Sequence, residues 1–182
     1  MSDLDLIERK IDSKEVYSGP LLHVFSDSVT LPNGNAAKRD LIRHIGAVAV
    51  LPILDDGRVI IEHQFRYPVN EVLIEIPAGK LDSKTEDKVE AIKRELREET
   101  GYVASEWIEL GDMYPTPAYS DEVIRLYVAK GLTKGDRDLD EDEFIDIKAV
   151  PLSYLLLDVM EGRIKDAKSQ IAILKAARLL KL

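Results

Sequence analysis

Hydrophobic and polar positions change their period several times along the chain, and each change marks an element. From Val16 to His44, VYSGPLLHVFSDSVTLPNGNAAKRDLIRH reads as short strands broken by turns, with ProAsnGly at 32 to 34 a hairpin signal. GAVAVLPIL and RVIIEHQF follow as apolar, β-branched runs separated by AspAspGly at 55 to 57, which predicts a second hairpin. EVLIEIPAG predicts a strand that stops at Pro77. The period then lengthens. Over residues 86 to 100, Val89, Ile92 and Leu96 fall three and four apart, the spacing of a helix with one apolar stripe, and Gly101 supplies its C-terminal cap. Beyond it, WIELGDMY and EVIRLYVAKGL predict strands either side of the proline-stiffened PTPAYSDE, KGDRDLDEDE an acidic loop, and FIDIKAVP a last strand. LSYLLLDVMEG and AKSQIAILKAARLLKL read as amphipathic helices. The succession predicts an α+β fold of mixed, mainly antiparallel sheet with one central helix and helices near the C-terminus.

The central helix carries an unusual load of carboxylates. At roughly 100° per residue, Glu99 lies about 50° from the centre of the apolar stripe, Glu95 about 90° and Glu98 about 150°. Glu95 and Glu99 are therefore i,i+4 neighbours along the edge of the buried face, where like charges repel and desolvation adds to the cost. A solvated acidic face balanced by Lys88, Lys93, Arg94 and Arg97 is the ordinary reading of such a run. The alternative is a cradle for a hard divalent cation such as Mg²⁺, which prefers carboxylate and carbonyl oxygens.

Composition narrows the chemistry. The 182 residues carry a net charge of −9, which disfavours binding to nucleic-acid backbones, and 45% are hydrophobic, enough for a core. With no cysteine, thiol nucleophiles, thiolate metal sites and disulfides are excluded. The start, MSDLDLIERK, lacks the pattern of a secretory signal and no apolar run approaches bilayer length, so the expectation is a cytoplasmic protein with no membrane partner.

Read in order, Gly79, Glu86, then Arg94-Glu95-Leu96-Arg97-Glu98-Glu99-Thr100-Gly101-Tyr102 closely resembles the signature box of the Nudix hydrolases. Seven residues separate Glu86 from Arg94, as in that box; six separate Gly79 from Glu86, where the family normally has five. GAVAVLPI, HQFRYPVNEVLIEIPAGKLD, Pro117 in PTPAYSDE, LDEDEF and EGRIKDAKSQIAILKAARL look like the ADP-ribose pyrophosphatase branch, so the resemblance runs from about Val16 onward. It implies a Nudix-type α/β/α sandwich over residues 45–182, and a small antiparallel β region over 1–44 that exchanges strands in a homodimer.

The resemblance also implies site residues. Glu95, Glu98, Glu99 and the backbone carbonyl of Ala78 correspond to metal ligands for Mg²⁺, with Mn²⁺ a substitute. The general base of the branch is a glutamate on a loop matching LDEDEF, here Glu143 first and Glu141 second, with Glu98 competing from within the box. Arg66 matches a phosphate-contacting arginine and Glu75 a glutamate supporting the site, while Arg39 and Asp40 match residues that approach the adenine and ribose. The implied reaction is Mg²⁺-dependent hydrolysis of the diphosphate of ADP-ribose to AMP and ribose 5-phosphate. The alternatives are a diphosphatase for another nucleotide sugar, such as GDP-mannose or ADP-glucose, and a non-catalytic nucleotide-sugar-binding relative. Isopentenyl diphosphate isomerase shares the fold but normally needs a catalytic cysteine.

Overall fold

The computed structural model describes residues 2–139 and 143–181, so Glu141, one of the two loop candidates for the base, lies outside the described residues. The chain divides into two compact units, one running to Ile45 and including Thr116–Val123, the other built from Gly46–Pro115 and the chain from Ile124 onward.

In the first unit a 3-10 turn over Asp3–Leu6 leads into an antiparallel sheet of β1 (Arg9–Ser18), β2 (His23–Thr30) and β3 (Ala36–Arg43), in the order β1-β2-β3. The ProAsnGly hairpin forms as expected: Leu31 N–H donates to the Asn35 carbonyl at 2.8 Å, and Gly34 takes φ +86°, a backbone region that glycine enters without a Cβ penalty. Strand β1 starts at Arg9, well before the Val16 expected, because RKIDSKEV has no sustained apolar alternation to reveal it. The loop after Pro117 joins this unit through Ile42 N–H to the Tyr119 carbonyl (2.8 Å) and His44 N–H to Asp121 Oδ1 (2.7 Å).

The second unit holds β4 (Ala47–Pro52), β5 (Arg58–Arg66), β6 (Glu71–Glu75), β7 (Ala78–Lys80), α1 (Lys88–Thr100), β8 (Tyr102–Met113), β9 (Ile124–Lys134), β10 (Ile145–Pro151), α2 (Leu152–Met160) and α3 (Ala167–Leu179). Its strands form a mixed sheet, β7-β4-β9-β8, with β4 and β9 parallel, and an antiparallel sheet, β10-β5-β6. Every residue of β4 is buried because helices cover both faces of the mixed sheet. Val48 and Val50 of β4, with Tyr127 and Ala129 of β9, pack against Ala91, Ile92 and Leu96 of α1. The alternate residues Ala49, Leu51, Leu126 and Val128 pack with Leu155 of α2 and Ala172, Ile173 and Ala176 of α3. Ile92 and Leu96 are fully buried, each contributing about 2 kcal/mol of apolar transfer. This is the α/β/α sandwich expected.

Two local expectations are corrected. The AspAspGly turn closes, with Leu54 N–H donating to the Arg58 carbonyl (2.8 Å), but its flanking strands pair only at the Ile53–Val59 bridge and then enter different sheets. A strand apolar on both faces is drawn into the sheet centre beside β9, away from its neighbour in sequence. Pro77 ends β6 as expected, yet the chain resumes at once as β7, antiparallel to β4 with Gly79 opposite Val48. Three residues are too few to show a period, so the switch of sheet was not visible in EVLIEIPAG. No helix among the described residues is long and apolar enough to cross a membrane.

Candidate active site

Helix α1 begins at Lys88, later than the expected position 86, because Asp87 caps it: its carboxylate accepts from the Val89 and Glu90 N–H groups at 2.9 and 3.0 Å. Glu86 therefore lies in the preceding loop, where it accepts from Asp82 N–H (2.5 Å) and from Arg94 Nη2 (3.5 Å), tying down the segment that holds the extra residue. At the other end Gly101 takes φ +76° and its N–H closes on the Arg97 carbonyl at 2.8 Å. The helix so fixed grades its carboxylates as its wheel requires, with side-chain exposures of 13% for Glu95 and 28% for Glu98, while Glu99 is 5% exposed overall.

Strand β7 lies against the middle and last turns of this face, at Glu95 and Glu99. Ala78 N–H donates to Glu99 Oε2 at 3.0 Å. A Cβ on Gly79 would stand 2.0 Å from Cδ of Glu95, so the glycine is required by close approach and not by its backbone angles. The Arg94 guanidinium reaches Glu95 Oε1 at 2.7 Å and Glu98 Oε2 at 3.3 Å, and Arg97 Nη2 also reaches Glu98, at 3.3 Å. Burial pushes the Glu95 carboxyl up while Arg94 opposes it. Burial pushes Glu99 up further, reinforced by repulsion from Glu62 and Glu95.

Strands β5 and β6 supply a second group. Arg66 forks onto Glu75, Nε to Oε1 at 2.7 Å and Nη2 to Oε2 at 2.8 Å, and buried Lys168 of α3 donates to the same Oε2. Burial raises the Glu75 carboxyl, but the two cations outweigh it and hold it down at about 2. Glu62 lies opposite Glu75 in the β5–β6 ladder. Arg137 links the groups from the loop after β9, its Nε donating to the Glu99 carbonyl (2.6 Å) and Nη2 to the Ile145 carbonyl (3.1 Å).

The carboxylate of Glu143 stands near enough to push the Glu62, Glu95 and Glu99 carboxyls upward, and the Glu99 charge in turn acts on Arg66. The structure thus draws Ala78, Glu95, Glu98, Glu99, Glu143, Arg66 and Glu75 into one electrostatically connected region. Arg39 and Asp40 belong to the first unit, on β3; Arg39 is taken by Glu8 at 2.9 and 2.5 Å, and exposed Asp40 sits opposite Ser26. Glu62, Arg137 and Lys168 escaped the sequence reading. For Glu62 the signal was a lone carboxylate after three apolar residues in RVIIEHQF; Lys168 and Arg137 gave none, since lysine and arginine are ordinary on helices and loops.

A family model described as NUDIX domain matches residues 43–170. The chain belongs to the Nudix family. This Nudix chain is 39% identical over 170 residues to the ADP-ribose pyrophosphatase of Bacillus subtilis (strain 168), covering 92% of this chain and 91% of that protein. It is 41% identical over 168 residues to the methanol dehydrogenase activator of Bacillus methanolicus, covering 91% and 90%. Among solved structures, one titled "Crystal structure of ADP compounds hydrolase" superposes with a TM-score of 0.85 over 96% of this chain and 94% of that one; at 24% sequence identity this shows the fold.

Nudix hydrolases generally use divalent metal ions. Among the described residues no three acidic or histidine side chains form a ready-made metal-binding group, and Arg94 holds Glu95 and Glu98. The donor set nonetheless fits a hard cation: several carboxylates, one buried to 5% exposure, are held close enough to repel one another.

Proposed function

We propose that this chain hydrolyses the diphosphate of ADP-ribose to AMP and ribose 5-phosphate with Mg²⁺, Mn²⁺ serving as a substitute. The observation that carries the reading is the likeness, over nearly all of both chains, to an ADP-ribose pyrophosphatase. The carboxylate region described above gives that likeness a chemistry.

Glu95, Glu98, Glu99 and the Ala78 carbonyl would hold the metal, which when bound lowers the pKa of water and neutralises diphosphate charge. Arg66, with Nε and Nη2 committed to Glu75, keeps Nη1 for a phosphate oxygen and is held by that pair in one orientation. Glu143 takes the proton of the attacking water as the new P–O bond forms; the bridging P–O bond then breaks and its electron pair leaves with the departing phosphate. The N-terminal β region, residues 1–44, serves in a homodimer, with Arg39 and Asp40 contributing to the nucleoside subsite.

The test is a panel of ADP-ribose, ADP-glucose and GDP-mannose with Mg²⁺, scoring products and kcat/KM, with a chelator arm. ADP-ribose should rank first, chelation should abolish turnover, and Glu143→Gln should lower kcat by about 100-fold or more while leaving Mn²⁺ affinity nearly unchanged. A better rate on another nucleotide sugar would overturn the substrate, and full activity in Glu143→Gln would move the base elsewhere.

A further inference from the structure

Glu62 has a structural problem that the family's box residues do not solve. It sits on β5 directly after Val59, Ile60 and Ile61, all buried, and is itself 2% exposed. Its Oε1 has no hydrogen-bond partner among the described residues. A carboxylate taken out of water with an oxygen unpaired is costly, and an aliphatic side chain would fill such a position without that cost.

The neighbouring cations are committed elsewhere. Lys168 acts on Glu62 through space, but its ammonium donates to Glu75 and lies 3.2 Å from Asp166. Arg137 acts on it too, yet its Nε and Nη2 are spent on the Glu99 and Ile145 carbonyls. Glu75, across the ladder, is satisfied by Arg66 and Lys168. Beside these cations stand further carboxylates: Glu75 and Glu143 act on Glu62, and Glu62 in turn acts on buried Glu99. An unpartnered, buried oxygen among carboxylates is the arrangement that a hard divalent cation resolves.

We propose that Glu62 extends the divalent-cation site of the α1 carboxylates onto strand β5, giving a carboxylate oxygen to the cation directly or through one bound water. The inference rests on the metal-dependent reading above and adds to it a ligand lying outside the signature box. It gives the site a rigid strand-borne member opposite side chains that must leave Arg94 before they bind.

Mn²⁺ binding by calorimetry and by the EPR signal of free Mn²⁺, without substrate, tests this on the full chain as wild type, Glu62→Gln and Glu62→Leu. Thermal melting with and without Mn²⁺ accompanies it. Both variants should bind Mn²⁺ roughly tenfold or more weakly, or lose one equivalent, and their melting temperatures should gain less from Mn²⁺. Without metal, Glu62→Gln should melt at or above wild type, since a neutral amide avoids the cost of a buried carboxylate with an unpaired oxygen. Wild-type affinity in Glu62→Gln would overturn this inference alone. A metal-free Glu62→Gln that melts well below wild type would also overturn it, by making the residue structural. Wild type that binds no Mn²⁺ up to millimolar concentration would overturn the metal reading together with it. Should Glu62→Leu fail to fold, the near-isosteric Gln variant carries the comparison.

Discussion

Glu75 and Glu99 are both nearly inaccessible glutamates within one region, and their neighbours send them in opposite directions. Glu99 accepts from one backbone N–H and faces other carboxylates; Glu75 faces the Arg66 fork and Lys168. Glu75 therefore stays charged at a folded pKa of about 2, against an ordinary 4.5. Because the folded value is the lower one, the pair's contribution is full above about pH 4.5 and is lost as pH falls toward about 2. Glu75→Gln should cost on the order of 3 kcal/mol at neutral pH, because Lys168 keeps a buried charge with a weaker partner. The variant should also show a shallower loss of stability on acidification. Urea unfolding across a pH series measures both effects; parallel acid profiles for wild type and variant would show that this pair does not set the acid limb. Residue identity alone told little here, since the same residue type sits in both environments and the partners come from distant parts of the chain.

At the scale of elements, the site depends on a three-residue strand lying against a helix. The helix announced itself in the sequence through its stripe, its glycine cap and the order of its glutamates, and the wheel ranked Glu99, Glu95 and Glu98 in the order of burial observed. Strand β7 did not, since Ala78–Lys80 is too short for a period and its position is set by pairing with β4. Gly79 shows why the pairing matters: its missing Cβ admits the Glu95 side chain. Gly79→Ala should push aside the flexible end of Glu95, costing little stability but lowering kcat by about tenfold or more, since small misplacements of a reacting geometry are expensive. Steady-state kinetics beside a melting curve separate the two effects; a variant with wild-type kcat would mean that Glu95 tolerates displacement.

For the molecule as a whole, a net charge of −9 must be reconciled with an anionic diphosphate substrate, and local cations do this where the global charge cannot. The sheet β1-β2-β3 raises a separate question. Ile11, Val16, Tyr17 and Leu21 are all more than half exposed, and of the three strands only Asp27 and Val29 are buried. A small sheet with so little buried is marginal by itself, which favours its being covered by a second copy. Small-angle scattering and gel filtration should give a homodimer, and Ile11→Lys with Val16→Lys should weaken it. A stable, fully active monomer would sink this reading.

By itself the sequence determined the order of the longer elements, the family and the helix-borne carboxylates, because each is written in local terms: period, cap and fixed spacing along one helix. The tertiary structure decided which sheet β4, β5 and β7 enter, which glutamates are neutralised, and that the charges of Glu62 and Glu99 act on one another. Those outcomes depend on side chains far apart in sequence whose encounter is set by packing both faces of the mixed sheet, and no local pattern encodes that encounter.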